Sequence, residues 1–340
     1  MKKVIVTGGA GFIGSHTVVE LVAAGYEPVI VDDLRNSEER ILNGIETIIG
    51  FRPTFHRLDC TDPIAVSSML DEEGDVHGVI HFAADKAVGE SMSRPAMYYR
   101  NNIGSLAVLL SLMRERSFKH IVFSSSCTVY GQPDSLPVSE DSPDRNASSP
   151  YGETKVVCEQ LVRRQCEAVP GLKAALLRYF NPIGAHPSGL IGELPRGVPN
   201  NLVPFVTQTA AGLRDRLRVN GDDYDTVDGT CVRDYIHVVD LAQAHVTALA
   251  WLEQAEPQTC EAFNLGTGKG RTVMEVVNAF QKENKVIVPY VVGPRRAGDV
   301  VSVFADTTKS REVLRWEPQL TLEDAVRDAW RWQRALAVKA

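Results

Sequence analysis

Through the first half of the chain, short runs of consecutive apolar residues alternate with stretches whose apolar positions recur at helical spacing. Val4-Ile5-Val6-Thr7 reads as a buried strand, and Ser15 to Ala24 follows a helical pattern until Gly25 stops it. Val29-Ile30-Val31 is the next strand and ends at Asp32-Asp33. Phe55 to Leu58 and Val79 to Phe82 read as further strands. Between them Thr61-Asp62-Pro63 signals a helix start, a capping side chain followed by proline in the first turn. Tyr98 to Arg116 is predicted as a long helix, Ile121-Val122-Phe123 as a strand, Tyr151 to Ala168 as a helix, and Ala174 to Leu177 as the strand that closes the series. Strands that are apolar throughout and separated by helices imply a parallel sheet covered on both faces.

Past Asn181 the rhythm changes. His186 to Asn201 is rich in Gly and Pro, shorter elements follow, and an amphipathic helix from Leu322 to Ala337 ends the pattern. A chain of 340 residues suggests two domains at about 150 residues each. The expected division is 1–181 and a smaller lobe at 182–340. The Pro- and Ser-rich stretch Gln132 to Pro150 reads as a loop of the kind that carries binding residues.

With 44% hydrophobic and 23% charged residues, the chain is an ordinary globular one, not disordered, collagenous or coiled-coil. The net charge of −7 provides no global basic field, which argues against nucleic acid or an anionic membrane as partner. Any bound anion must be held by a local site. Six cysteines without a C-x-x-C pair point to reduced thiols and a cytoplasmic protein. The run Val4–Val6 is too short for a signal peptide, and no run of about 18 apolar residues could span a membrane. The eight histidines show no metal-ligand spacing.

A local anion site is visible after the first strand. Gly8, Gly11 and Gly14 follow a G-x-x-G-x-x-G spacing: the first permits a tight turn, the second lets a pyrophosphate approach the backbone, the third allows close packing of helix on strand. Asp32 ends the second strand near the distance, about 20 residues on, at which a carboxylate accepts the adenosine ribose hydroxyls and repels a 2′-phosphate. These features predict NAD, not NADP, on a Rossmann-type doubly wound parallel sheet with a smaller C-terminal α/β lobe for substrate. Gly266-Thr267-Gly268-Lys269-Gly270 lacks the spacing of a nucleotide-triphosphate loop.

Tyr151 and Lys155 lie four residues apart at the start of a helix and so share one face. A phenol, whose ordinary pKa is about 10, becomes a usable base only where a cation favours the phenolate. An ammonium and a nicotinamide ring both do so. Ser124-Ser125-Ser126 ends the preceding strand, where the ligand crevice opens, and Ser126 can hydrogen-bond the oxygen that the tyrosine deprotonates; the other two serines read as structural.

Taken together, the glycine loop, Asp32, the serine run and Tyr151-x-x-x-Lys155 resemble the extended short-chain dehydrogenase/reductase superfamily. Longer motifs resemble one of its families, the UDP-glucose 4-epimerases. These are His81-Phe82-Ala83-Ala84-Asp85-Lys86-Ala87-Val88-Gly89-Glu90-Ser91, Leu177-Arg178-Tyr179-Phe180-Asn181-Pro182, Gly184-Ala185-His186-Pro187-Ser188-Gly189, Pro199-Asn200-Asn201-Leu202 and Val232-Arg233-Asp234-Tyr235-Ile236-His237-Val238. The resemblance implies reversible inversion at C4 of UDP-glucose and UDP-galactose through a 4-keto sugar, with hydride held on tightly bound NAD+ and returned to the other face. Tyr151 would be the base, Lys155 would lower its pKa and bind the nicotinamide ribose, and Ser126 would relay the proton.

Carried over by position, Phe12 and Ile13 lie at the pyrophosphate, and Asp32, Asp33, Leu34, Arg35, Asn36 and Ser37 surround the adenosine ribose. Asp59 and Cys60 flank the adenine. Phe82, Ala83, Ala84, Lys86, Asn101 and Phe180 line the rest of the cofactor, together with the catalytic residues. For the nucleotide sugar the resemblance points to Asn181, Asn201, Leu202, Arg233, Tyr235, Arg296 and Asp299 beside Ser126 and Tyr151. It also implies a homodimer built from the Tyr98–Arg116 and Tyr151–Ala168 helices, whose apolar faces could equally just cover the sheet.

Five positions depart from the family pattern. Ala84-Asp85 replaces a common Gly-Leu, Asp33 stands where Asn is usual, and Cys231 takes a glycine position. Val303 falls where strict epimerases carry Tyr. A smaller side chain there leaves room for an acetamido group, so activity on UDP-N-acetylglucosamine and UDP-N-acetylgalactosamine is expected as well. A nucleotide-sugar 4,6-dehydratase is disfavoured because Cys127 and Thr128 occupy the positions of its acid and base. The remaining alternatives are a 4-epimerase of another UDP sugar, such as UDP-glucuronate, and a non-catalytic NAD-binding sensor.

Overall fold

A computed structural model describes residues 1–142, 147–296 and 299–338; part of the loop expected between Gln132 and Pro150 therefore lies outside the described residues. The six predicted strands are present as β1 (Lys2–Thr7), β2 (Tyr26–Val31), β3 (Thr54–His56), β4 (Gly78–His81), β5 (His120–Ser126) and β6 (Lys173–Tyr179). All pair in parallel in the order β6-β5-β4-β1-β2-β3, and the apolar residues of β1, β2 and β4 are buried on both faces. This is the Rossmann-type sheet that the pattern predicted.

Local chemistry sets the helix starts. The Asp62 side chain accepts from Ile64 N–H at 3.0 Å and Ala65 N–H at 3.1 Å, with Pro63 in the first turn of the Pro63–Glu73 helix. Ser149 caps the Pro150–Ala168 helix, accepting from Gly152 N–H at 3.2 Å. The first helix begins at Phe12, three residues earlier than predicted, because the glycine turn is tight enough for Gly11 to occupy the cap position. The long helix predicted from Tyr98 is interrupted. A wider π-type turn at Tyr99–Ile103 precedes the regular Gly104–Glu115 helix, and such turns gather at functional sites. Here it aims Asn102 at the peptide of Asp85, whose N–H donates to Asn102 Oδ1 at 2.8 Å, and leaves Asn101 on the cavity wall.

Where the chain was expected to change lobes it does change sheets. β6 ends at Tyr179 and β7 (Asn181–Ile183) pairs instead with β9 (Val232–His237), placing Asn181 beside Tyr235. The crossing is not final, however. The Val238–Gln254 helix returns to pack on the Phe12–Ala23 helix, and β10 (Cys260–Leu265) adds a seventh parallel strand beside β6. Cys260-Glu261-Ala262-Phe263-Asn264-Leu265 interrupts its apolar positions with Glu261 and Asn264, unlike the continuous apolar runs of the central strands, so its sheet could not be assigned from the pattern. The remaining strands are β8 (Leu217–Asn220), β11 (Gly270–Thr272), β12 (Tyr290–Gly293) and β13 (Ser302–Val303). β11 and β13 flank β9, and β12 pairs with β8. The Leu322–Val338 helix covers this smaller lobe with Ala325, Val326 and Ala329 against Val276 and Phe280. No helix among the described residues is long and apolar enough to cross a membrane.

Two buried polar features set conditions on stability. Between the sheet and the Pro150–Ala168 helix, Arg178 makes a bidentate pair with Glu159 at 2.9 and 2.6 Å, both side chains 3% exposed. Separately, burial pushes the rings of His16 and His81 down to about 3 and that of His245 to about 4. An unfolded histidine titrates near 6.5, so below that pH the unfolded chain takes up three protons that the folded chain refuses until the lower values are reached. Stability is fully present above pH 6.5 and falls between there and pH 4, by about 4 kcal/mol per pH unit for three such groups. Denaturant titrations at pH 7, 5.5 and 4.5 measure this; equal stability at the first two values would remove the account.

Candidate active site

The carboxyl ends of the central strands open on one cavity of about 650 Å³, a size suited to a small-molecule ligand. Its floor is the turn between β1 and the Phe12–Ala23 helix. Gly8 has φ of +69°, and a Cβ there would stand 2.8 Å from Ala83 N; a Cβ on Gly14 would meet Gly8 O at 2.3 Å. With no side chains in the way, strand end and helix start pack directly together. A helix's first N–H groups lack intrahelical partners, and here that first turn, Phe12 to Gly14, forms part of the cavity wall.

At one end, the Asp32 carboxylate accepts from Ala10 N–H at 3.1 Å, Leu34 N–H at 2.9 Å and Ser37 Oγ–H at 2.9 Å. Burial raises its pKa, and these three donors oppose that rise. The loop turns through Leu34, whose φ is +61°, and Leu34 is the one expected cofactor residue that does not line the cavity. Asp33 is used locally, by the backbone and guanidinium of Arg35. Arg35 in turn reaches Asp59 at 2.6 Å and Asn101 at 3.1 Å, so one side chain ties three parts of the rim. Cys60 lies beside these carboxylates, and burial with their charge pushes its thiol up to about 12.

At the other end stand Tyr151, Lys155 and Ser126, all buried and all lining the cavity. Lys155 Nζ donates to Ser124 O at 2.6 Å and sits 5.0 Å from the Phe123 ring centroid and 5.9 Å from that of Tyr151. Burial lowers Lys155 to about 8. Burial first, then neighbouring Tyr179, raises the Tyr151 phenol above its usual range, while a hydrogen bond with Ser126 holds it down. The protein's own groups thus leave Tyr151 protonated, so a further positive charge is needed to make it a base. Ser124 is bonded to Tyr179 OH and Ser125 to Glu159, which leaves Ser126 as the serine engaged with Tyr151.

Asn181 and Asn201 line the same cavity. Leu202, Arg233, Tyr235, Arg296, Asp299 and Val303 do not; Arg233 and Tyr235 lie on β9, and Val303 on the neighbouring β13. Tyr235 is in register with Asn181, and Val303 with Arg233. The Asp299 carboxylate lies between two arginines, 3.5 Å from Arg233 and 2.6 Å from Arg296. Val303 is buried in a cluster with Phe180, Val129 and Ala305.

Asp85 is buried; its Oδ1 accepts from Asn36 at 3.4 Å, its Oδ2 has no partner, and burial raises its pKa. Cys231 is not among the residues of positive φ, so its side chain is accommodated by ordinary backbone. Cys127 is pushed up to about 12 by burial and Thr128 Oγ1 is buried without a partner, a poor acid–base pair for elimination. The Gly266–Lys269 loop wraps an internal anion: Asp234 accepts from Thr267 N–H at 2.8 Å and Gly268 N–H at 3.0 Å. The motif reading missed the segment Gly192–Arg196, which lines the cavity, because only its Gly and Pro content was readable. Among the described residues no group of His, Cys, Asp and Glu could hold a metal ion.

A family model described as GDP-mannose 4,6 dehydratase matches residues 5–329. A UDP-glucose 4-epimerase of Dictyostelium discoideum is 50% identical over 97% of this chain and 95% of its own length. Among solved structures, a UDP-glucose 4-epimerase of Stenotrophomonas maltophila with bound NAD and formylated UDP-arabinopyranose superposes with a TM-score of 0.96 at 46% identity, covering both chains completely. One from Bifidobacterium longum, in complex with NAD+ and UDP, superposes with a TM-score of 0.94 at 44% identity over 98% of each chain.

Proposed function

The chain belongs to the UDP-glucose 4-epimerases of the extended short-chain dehydrogenase/reductase superfamily, and from that membership we propose how its own residues carry out the reaction. It is an NAD-dependent enzyme that inverts C4 of UDP-glucose, giving the galactose epimer. The observation that carries the assignment of roles is the joint placement of Tyr151, Lys155 and Ser126 at one end of a cavity whose other end holds the glycine turn and Asp32.

The cavity suits NAD on physical grounds. The side-chain-free turn at Gly8 and Gly14 admits a pyrophosphate, and Asp32 offers a carboxylate to ribose hydroxyls. NAD+ held there supplies a hydride acceptor and a positive ring. Tyr151 then takes the proton of the sugar 4-hydroxyl, and Ser126 holds the oxygen between them. Lys155, fixed by Ser124 O, adds the ammonium that favours the phenolate. Tyr151 returns the proton once the 4-keto sugar has turned over. Arg233 and Arg296 suit the diphosphate, with Asp299 orienting both. In this division of labour residues 1–181 hold the cofactor, helped by the returning strand β10, and residues from 182 onward take the UDP sugar.

The pure protein, given UDP-galactose and no added reductant, is expected to form UDP-glucose, detected with UDP-glucose dehydrogenase. A protein that carries NAD but never equilibrates the two sugars would be the sensor instead. Val303 carries a second reading, turnover of N-acetylated UDP-hexosamines. Tyrosine at this wall, beside Phe180, would narrow the sugar site. Val303→Tyr is expected to cut N-acetyl turnover by roughly tenfold or more while sparing UDP-glucose. No N-acetyl turnover in the unaltered enzyme would eliminate that reading. A cytoplasmic location belongs to the same proposal, supported by six free cysteines. So does a homodimer. Val157, exposed on the Pro150–Ala168 helix, is the apolar side chain available to it, and light scattering tests it.

A further inference from the structure

We propose that Arg196 is a latch that retains NAD, an inference that rests on the cofactor assignment above. The segment from Gly192 to Asn201 belongs to the second lobe, yet Glu193, Arg196 and Asn201 line the same cavity as the glycine turn and the Asp32–Ser37 loop. It therefore bridges the cavity from one half of the chain to the other.

The segment is anchored firmly on its own side. Trp332 Nε1–H donates to Glu193 O at 2.9 Å, Asn201 Nδ2–H donates to Glu193 Oε1 at 2.6 Å, and Arg214 donates to Gly197 O at 3.0 Å. Lys86, from the first half of the chain, also reaches across to Glu193, at 3.2 Å, through an exposed ammonium. Residues 196–198 are exposed, and among the described residues the bonds that tie them to the first half of the chain come from one side chain. Arg196 Nη2–H donates to Leu34 O at 3.0 Å and to Ser37 O at 2.8 Å. These carbonyls belong to the loop that holds Asp32, the carboxylate assigned to the adenosine ribose, and Leu34 presents its own from a left-handed backbone. The latch thus closes on the ribose loop itself. A dinucleotide lying between the glycine turn and this loop leaves only after Arg196 lets go of both carbonyls. Bonds from a guanidinium are stronger than neutral ones and two share a single anchor, so they break together. The consequence suits an enzyme that uses the same NAD molecule turn after turn: the lobe that recognises the sugar also keeps the cofactor from escaping.

The test measures escape of NAD from the holoenzyme. Purified enzyme is diluted into alcohol dehydrogenase and ethanol, which convert released NAD+ to NADH, and absorbance follows the rate. Arg196→Ala is expected to release NAD roughly tenfold faster than the unaltered enzyme, and Arg196→Lys, which restores a cationic donor, at an intermediate rate. Arg214→Ala cuts a tie on the second-lobe side alone and should release NAD at the original rate. Thermal midpoints of the NAD-free Arg196→Ala and unaltered proteins should agree, which separates a latch from general loosening. Unchanged release from Arg196→Ala, or equal acceleration by Arg214→Ala, overturns the latch. If the unaltered protein neither carries NAD nor takes it up, the cofactor assignment itself fails, a distinct result.

Discussion

Replacing Tyr151 by phenylalanine is expected to lower epimerase turnover by about 10²–10⁴-fold, the range that one positioned proton-transfer group contributes. The phenol is buried, held by Ser126, and lies on the helical face it shares with Lys155. Phenylalanine preserves the ring and its packing and removes only the oxygen. NAD content should survive, because the glycine turn and the Asp32 loop grip the far end of the dinucleotide. Residual turnover above about a tenth of the original would mean that another group takes the proton. The companion variant Lys155→Met distinguishes charge from shape. Burial lowers this ammonium to about 8 and raises the phenol. The reaction needs the phenolate, and the ammonium stabilises it. Removing the ammonium raises the tyrosine's pKa, so the rise of kcat with pH should move to higher pH, with turnover at pH 7 falling.

Glu159→Ala is expected to destabilise the protein by about 3–5 kcal/mol, because it leaves Arg178 as a buried cation with its bidentate partner gone. For a chain of this size that lowers the thermal midpoint by roughly 5 °C or more. The position of the pair gives the loss a functional side. Glu159 is one helical turn beyond Lys155, Ser125 bonded to Glu159 precedes Ser126, and Arg178 precedes Tyr179. The ion pair therefore fixes helix, β5 and β6 at the reacting end of the cavity. Replacing both partners with apolar residues of similar volume, Glu159→Leu with Arg178→Met, should restore much of the lost stability, since that removes the buried cation together with the pair. A double replacement no better than the single one would show that the loss comes from packing and not from the buried charge.

Central strands and the glycine turn were readable from the chain because both are local signals. Val4 to Thr7 is buried on both faces, and Gly8 to Gly14 has few other uses at a strand-to-helix junction. The Asp62 cap was equally local and stands where it was expected. Long-range arrangement was less readable. Cys260–Leu265 breaks its apolar run at Glu261 and Asn264, and nothing in it names β6 as its neighbour across eighty intervening residues. The π-type turn at Tyr99–Ile103 left no trace either, because its residues keep helical spacing on both sides. Arg196 is the sharpest case. Its role depends on two backbone carbonyls, which have no side-chain identity and so no signature in a sequence. The tyrosine–lysine pair was legible as a pair, but its electrostatic state was not: burial raises the phenol and lowers the ammonium, and burial belongs to the assembled fold.

The late return of β10 to the sheet has a bearing on how the polypeptide is made. Until a ribosome has synthesised residues 182–265, β6 is an uncovered sheet edge, lacking first the Val238–Gln254 helix that packs on β5 and β6 and then the strand that pairs beside it. At ordinary elongation rates that interval is about ten seconds, long enough for an apolar edge to meet chaperones or another nascent chain. An N-terminal fragment ending at Asn181 should accordingly be insoluble, and truncated products from interrupted translation should go to degradation instead of persisting as free cofactor-binding domains.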